Sequence, residues 1–359
     1  MTVDLETFRS ALARHPAVVT HNGIAAGLVQ GVKVHTPRAF LSAWDSGDFD
    51  PTGLHAIISP RGELSDRFPV MNPGWDPFDH PGLSEALFSQ SEVFGQLMPT
   101  QDRIGQELLS HAGKDVIVLV LVDGLSFRDC RDYDGVRPCL APGVSLTSQG
   151  FRRVAGHGRI AQALFEKGFT ERLGFTYWSR DNNPLTDDIF TFFDPSRLFC
   201  TRQFDDVLSA LEKAPLRKTY VQVVVQGLDA ASHKGGDEPL VGPIVERLFR
   251  RVEALGQIIG SRGLRASVFL VSDHGILWRD GNNLTKIREP AWTVADGVRY
   301  LRSRIDRPYL ALAAEDGRYF SLAKRPFIFR SLGRTEWGVH GGVSYEESIV
   351  PFYCLEVNR

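Results

Sequence analysis

Cysteine is scarce in this chain. Of 359 residues only Cys130, Cys139, Cys200 and Cys354 are cysteine, with no C-x-x-C pair and no histidine beside any of them. No cysteine metal or redox motif is left to consider, and the four read as buried or free thiols in a reducing cytoplasm. Long apolar runs are missing too. The longest spans Val116 to Val122, far short of the roughly 20 residues that cross a bilayer. Met1 to Pro16 carries Asp4, Glu6 and Arg9 and has no apolar core of a secretory signal. The expectation is therefore a cytoplasmic protein that does not engage a membrane. An excess of either charge is absent as well: the formal net charge is -2. Nothing global draws the chain to nucleic acid or to an anionic surface. There is no internal repeat and no low-complexity tract. What is present, 43% hydrophobic and 23% charged residues, is ordinary for a soluble enzyme. The length suits one large α/β domain with embellishments, or two small domains.

Composition changes near residue 114. Residues 46–82 are rich in Gly, Pro and Asp, including Asn72-Pro73-Gly74-Trp75-Asp76-Pro77, and read as irregular loop. Leu83 to His111 has apolar residues at helical spacing, divided at Pro99 and closed by Gly113 as a helix C-cap. Residues 1–113 are taken as an accessory region of unassigned role and 114–359 as the unit that carries the chemistry. In that unit Val116–Val122, Tyr220–Val225, Ser267–Val271 and Ile349–Val357 are continuous apolar runs, as strands buried on both faces require. Between them Arg159–Lys167, Gln203–Lys213, Val241–Ser261 and Trp292–Ile305 have helical spacing. Alternating strands and helices predict an α/β fold, a mainly parallel central sheet with helices on both faces. Ligands of such sheets bind beyond the carboxyl ends of the strands.

The residues at those ends are informative. The first run meets Asp123-Gly124, by itself no more than a common turn. The second leads into Asp229 and His233, four apart and so on one helical face, where both can reach one divalent ion or simply cap a helix. The third ends Asp273-His274-Gly275, a sharper metal signal. Before the fourth stands His340 among glycines, poorly packed by its neighbours and better suited to a ligand than to a core. Three Asp and three His at four strand ends are the inventory for two adjacent divalent cations, and mixed Asp/His donors suit Zn²⁺ or Mn²⁺.

In this order the motifs resemble the alkaline-phosphatase superfamily, which includes nucleotide pyrophosphatase/phosphodiesterases and cofactor-independent phosphoglycerate mutases. The stretch from His340 to Pro351 is similar to PglZ domains, known from BREX phage-resistance systems. The resemblance covers residues 114–359 as ordered motifs and implies an alkaline-phosphatase-like three-layer sandwich. It also implies one ion held by Asp123, Asp273, His274 and the nucleophile, and another by Asp229, His233 and His340. The segment Gly143–Phe151 resembles the threonine-bearing segment of the diesterase branch and places Thr147 as nucleophile, with Ser145 and Ser148 as rivals. A sulfatase is disfavoured, because Cys139-Leu140-Ala141-Pro142-Gly143 fails the C-x-P-x-R pattern. Lys234, Lys286 and Arg288 are candidate phosphate donors, or solvated surface charges. The implied activity is metal-dependent hydrolysis of a phosphate monoester or diester, with a phosphorylated small molecule or nucleotide-like substrate. The alternatives are a PglZ-like nuclease or regulator in phage defence, which would need a basic groove, and a non-catalytic binding protein on a phosphatase fold.

Overall fold

The computed structural model describes residues 98–358 apart from 132, 157, 179–184, 234–237, 280–283 and 288–295. Before residue 98 it describes Ser42, Ser46 and three strands. These are β1 (Ala17–Thr20), β2 (Lys33–His35) and β3 (His55–Ile58), which form a parallel sheet in the order β2-β1-β3. β3 corrects the loop reading of 46–82. Its four residues are too few to stand out among the surrounding glycines and prolines.

The central sheet is built from β4 (Val116–Asp123), β5 (Arg137–Leu140), β6 (Glu171–Thr176), β7 (Leu198–Cys200), β8 (Thr219–Gln226) and β9 (Ala266–Ser272). A run of short strands follows: β10 (Leu277–Trp278), β11 (Thr285–Lys286), β12 (Tyr300–Leu301), β13 (Leu310–Glu315), β14 (Arg318–Ala323), β15 (Phe327–Ile328) and β16 (Gly338–Val339). β17 (Ile349–Val357) then returns to the central sheet, whose order is β5-β17-β9-β4-β8-β6-β7. β17 runs antiparallel to both its neighbours, while the pairings among β9, β4, β8, β6 and β7 are parallel.

All eight residues of β4 are buried, and side chains alternate between faces along a strand. Val116, Val118, Val120 and Val122 pack in one core with the helices Phe127–Cys130, Phe204–Lys213 and Val241–Ser261. Ile117, Leu119 and Leu121 pack in another with the helices Ile104–Ser110, Thr147–Ala155, Arg159–Glu166 and Leu185–Ile189. The fold is a three-layer α/β sandwich. The long helix contributes Val245, Leu248, Phe249, Val252, Leu255 and Ile259, a stripe at three- and four-residue spacing that faces the sheet.

Two details depart from the sequence reading. The helix expected over Trp292–Ile305 is not present in its described part: residues 296–305 are non-helical and contain β12, which pairs with Leu322 and Ser321 of β14. Tertiary pairing overrides the local periodicity there. The helix ending near residue 110 is capped by His111, whose N–H bonds the Leu108 carbonyl, rather than by Gly113. The Ile104–Ser110 helix, upstream of residue 114, packs its Ile104 and Leu108 into the second core. The part of the Leu83–His111 reading before residue 98 lies outside the described residues.

Candidate metal centre

Parallel strands deliver their carboxyl ends to one lip of the sheet. Asp123 is the last residue of β4, Asp229 opens the short helix Asp229–His233 just after β8, and Asp273 and His274 follow β9 directly. β17 runs the other way, so its start lies at the same lip, and His340 sits in the loop before it. The chain turns after Asp123 at Gly124, whose φ of 74° is costly for any residue with a Cβ. That turn lets Gly124 N–H donate to Asp273 Oδ1 at 2.9 Å.

The six side chains gather into two groups. Asp123, Asp273 and His274 form one, and Asp229, His233 and His340 form the other, with the ligand atoms of each within 4.8 Å of one another. The groups touch: the rings of His274 and His340 stack with centroids 4.0 Å apart. The first group is buried and the second half-buried. Among the described residues neither group includes a residue before Asp123.

Hydrogen bonds aim these side chains. Asp273 Oδ1 also accepts from His274 N–H at 2.7 Å, while Oδ2 is buried without a hydrogen-bond partner, 3.5 Å from His274 Nε2. Asp229 Oδ1 is likewise buried and without a well-aligned donor, 3.2 Å from His233 Nε2 and 3.3 Å from His340 Nε2. His274 Nδ1 lies 3.0 Å from the Gly275 carbonyl and His340 Nδ1 lies 2.8 Å from the Ser145 carbonyl. A carbonyl only accepts, so each Nδ1 carries the proton and each Nε2 keeps a lone pair facing the cluster. This is the orienting arrangement of metal-binding histidines. Orphaned carboxylate oxygens and inward lone pairs fit two divalent cations well.

The electrostatics agree. Burial, then the charge of Asp229, lifts Asp123 to about 6. Burial, then Asp123, raises Asp273 well above the ordinary carboxylate range. Burial pushes His274 down, which keeps its imidazole neutral. Burial also opposes ionisation of Asp229 and His340, but the adjacent imidazoles of His233 and His340 outweigh it and hold Asp229 low, and the adjacent Asp229 carboxylate raises His340. Carboxylates crowded in this way resist ionising together unless a cation joins them.

Of the three candidate hydroxyls, Thr147 Oγ1 lies 3.2 Å from His274 Nε2 and 3.4 Å from Asp123 Oδ1. Thr147 is the first residue of its helix, whose opening N–H groups have no partner within the helix and favour an anion. Ser145 is engaged elsewhere. It donates to the Gly342 carbonyl at 2.9 Å and accepts from Gly341 N–H at 2.8 Å, which clamps the loop that carries His340. Gly150 explains how the helix comes so close: a Cβ there would stand 2.1 Å from the Asp273 carbonyl oxygen. Cys139 is fully buried in β5, where burial pushes its thiol up, a poor setting for a nucleophile. Lys286 is exposed, and Lys234 and Arg288 lie outside the described residues.

Several residues that shape the site carry no motif. Tyr177, just past β6, donates its hydroxyl to Asp123 Oδ2. Gln101 is fully buried and donates to the carbonyls of Ser272 and Asp273 at 2.8 and 2.7 Å. Arg299 and Glu347, both fully buried, pair at 2.7 Å, and Glu347 Oε1 also accepts from Gly342 N–H. A cavity of about 790 Å³ lies apart from the ligand groups, between the Thr147–Ala155 helix and β13. Two of its arginines are paired, Arg153 with Glu315 and Arg152 with Asp188, and none of the six candidate ligands lines it.

No helix among the described residues is long and apolar enough to cross a membrane. No family model matches the chain, and no curated protein matches its sequence. Solved structures resemble it at low identity. Murine ectonucleotide pyrophosphatase / phosphodiesterase 5 matches at 12% identity over 67% of this chain and 87% of its own, with a TM-score of 0.47. An inactive variant of that protein in complex with AMP gives the same coverage and identity and a TM-score of 0.48. The C-terminal periplasmic domain of EcEptC from Escherichia coli, in complex with Zn, matches at 11% identity over 46% of this chain and 64% of its own, with a TM-score of 0.28.

Proposed function

We propose that this chain is a phosphoric ester hydrolase that uses two divalent ions, Zn²⁺ or Mn²⁺, with Thr147 as its nucleophile. One observation carries the reading: two three-donor groups stand side by side, and the Thr147 hydroxyl rests against Asp123 and His274 of one of them. Asp123, Asp273, His274 and Thr147 would hold one ion, and Asp229, His233 and His340 the other. Bound ions supply neutralisation of phosphoryl oxygens and a lowered pKa for a hydroxyl. Thr147 Oγ1 attacks phosphorus in line and loses its proton, and the ester oxygen departs with the bonding pair and is protonated. Water then cleaves the threonine–phosphate bond, so two inversions give net retention. The open helix N-terminus at Thr147 favours a phosphoryl oxygen.

The substrate class we assign is a phosphorylated small molecule or nucleotide-like ester, turned over by a protein that acts in the cytoplasm. The net charge of -2 favours neither a nucleic acid nor a membrane as partner. Residues 1–113 are assigned to substrate access and 114–359 to catalysis. The test combines elemental analysis of Zn²⁺- or Mn²⁺-loaded, dialysed protein with assays on p-nitrophenyl phosphate and bis-p-nitrophenyl phosphate. The expected result is about two ions per chain and turnover of one ester, with Thr147→Ala keeping the ions and losing most of the rate. A wild-type chain that retains no ion refutes the reading. If Thr147→Ala is as fast as wild type, the nucleophile assignment fails.

A further inference from the structure

Asp123 gives its two oxygens to different partners. Oδ1 faces Thr147 Oγ1 at 3.4 Å and His274 Nε2 at 4.0 Å. Oδ2 accepts from the Tyr177 hydroxyl. A partial rotation of the carboxyl group about its Cβ–Cγ bond would swing its plane away, so that neither of its equivalent oxygens faced Thr147. A donor fixed on Oδ2 opposes that rotation.

Tyr177 is itself firmly placed. It follows β6 directly, and β6 is separated from β4 only by β8. The Tyr177 ring packs at an angle against Trp178, with centroids 5.0 Å apart, and Trp178 packs against Phe151 at 5.5 Å. The backbone N–H of Trp178 donates to Thr176 Oγ1 at 3.1 Å, which fixes the turn after β6. Phe151 is fully buried on the helix that begins at Thr147, one turn further along. The contacts close a ring: Thr147 to Asp123, Asp123 to Tyr177, Tyr177 through Trp178 to Phe151, and Phe151 back along the helix to Thr147. The orientation of one carboxylate is thereby tied to the helix that carries the nearest hydroxyl.

We propose that Tyr177 is a positioning residue that locks the Asp123 carboxylate with Oδ1 turned toward Thr147 and the donors of Asp273 and His274. This rests on the two-ion reading above. A partner in the outer shell that orients a ligating carboxylate typically changes metal affinity or activity by 10–100-fold when removed. Tyr177→Phe removes only the hydroxyl and keeps the ring on Trp178. Zn²⁺ is titrated calorimetrically into chelator-treated wild type, Tyr177→Phe, the double variant Asp229→Ala with His233→Ala, and the triple combination. Each metal-free chain is also melted.

Tyr177→Phe should weaken one of the two sites about 10–100-fold and leave the other within about twofold of wild type. In the double-variant background, which keeps only the Asp123 group, the single remaining site should weaken by the same factor. With saturating Zn²⁺, kcat should fall while KM holds, and the metal-free melting temperature should stay that of wild type. Unchanged affinity at both sites overturns the proposal while the two-ion reading stands. Equal weakening of both sites with a lower melting temperature also overturns it, because that is what loss of general packing would produce. A wild type that binds neither Zn²⁺ nor, in the same titration, Mn²⁺ removes the two-ion reading and this proposal with it.

Discussion

Gly150→Ala sets two effects of opposite sign against each other. Gly150 lies inside the Thr147–Ala155 helix, where alanine is the better helix former by about 0.8–1.0 kcal/mol. Local propensity alone therefore predicts stabilisation. The packing predicts the reverse. The added Cβ would stand 2.1 Å from the Asp273 carbonyl oxygen and 2.6 Å from the carbonyl carbon, and these are backbone atoms with no rotamer to yield. Real Cβ atoms keep at least 3.0 Å, so helix and strand end must part by close to 1 Å. Forcing an extra methyl into a packed interface costs about 1–3 kcal/mol, which outweighs the propensity gain over most of that range. The separation also falls between Thr147 and His274, whose contact is now 3.2 Å. Gly150→Ala should therefore unfold at lower urea concentration with an unchanged m-value. Its turnover should fall further than its stability does, because misplacement by about 1 Å can cost 10²-fold in rate. A Gly150→Ala chain more stable than wild type and fully active would refute this account of why the helix sits where it does.

The remaining predictions address metal and charge. Asp229→Ala combined with His233→Ala should remove one of the two ions by elemental analysis and leave the other, since the groups share no ligand. Metal affinity should fall as pH falls. Asp123 sits at about 6 in the metal-free protein, so at pH 5 it is mostly protonated and must release a proton to bind. Calorimetric titrations at pH 7 and pH 5 should differ by about tenfold or more at that site, and equal affinities would contradict the assignment. Arg299→Met should cost about 3–5 kcal/mol in denaturant unfolding, because it strands the fully buried Glu347 carboxylate without its partner.

Much of this fold was legible in the chain because both faces of its sheet are buried. Val116–Val122, Tyr220–Val225 and Ser267–Val271 show as unbroken apolar runs, and each lies within one residue of the strand observed. Asp123, Asp273 and His274 stood out because they directly follow those runs, Asp229 and His233 because a run leads into them four apart, and His340 because it stands among glycines before a run. Tyr177 was not, since β6 reads Glu-Arg-Leu-Gly-Phe-Thr. Two charges and a glycine hide that strand, and with it the fact that Tyr177 stands at the lip. Gln101 and the Arg299–Glu347 pair were hidden for another reason. Gln101 reaches across 171 residues to Ser272 and Arg299 across 48 to Glu347, and no local pattern encodes such contacts. β13 and β14 are short and part-exposed, and their pairing through the Asp316-Gly317 turn lacks the strong alternation that would announce a hairpin.

Glu347 joins segments that are far apart in the chain. Its carboxylate grips Arg299 and the Gly342 N–H, and its carbonyl accepts from Gly275 N–H, the residue after His274. The strand that follows, β17, lies between β9 and β5 in the sheet and, among the described residues, pairs with both. The order of synthesis therefore bears on the order of assembly. While residues 340–357 are still unmade, His340 is missing, the His274 loop lacks its anchor, and β9 has an open edge. A ribosome-bound fragment ending near residue 335 would then carry β9 with an unpaired edge and lack His340 of the second ligand group.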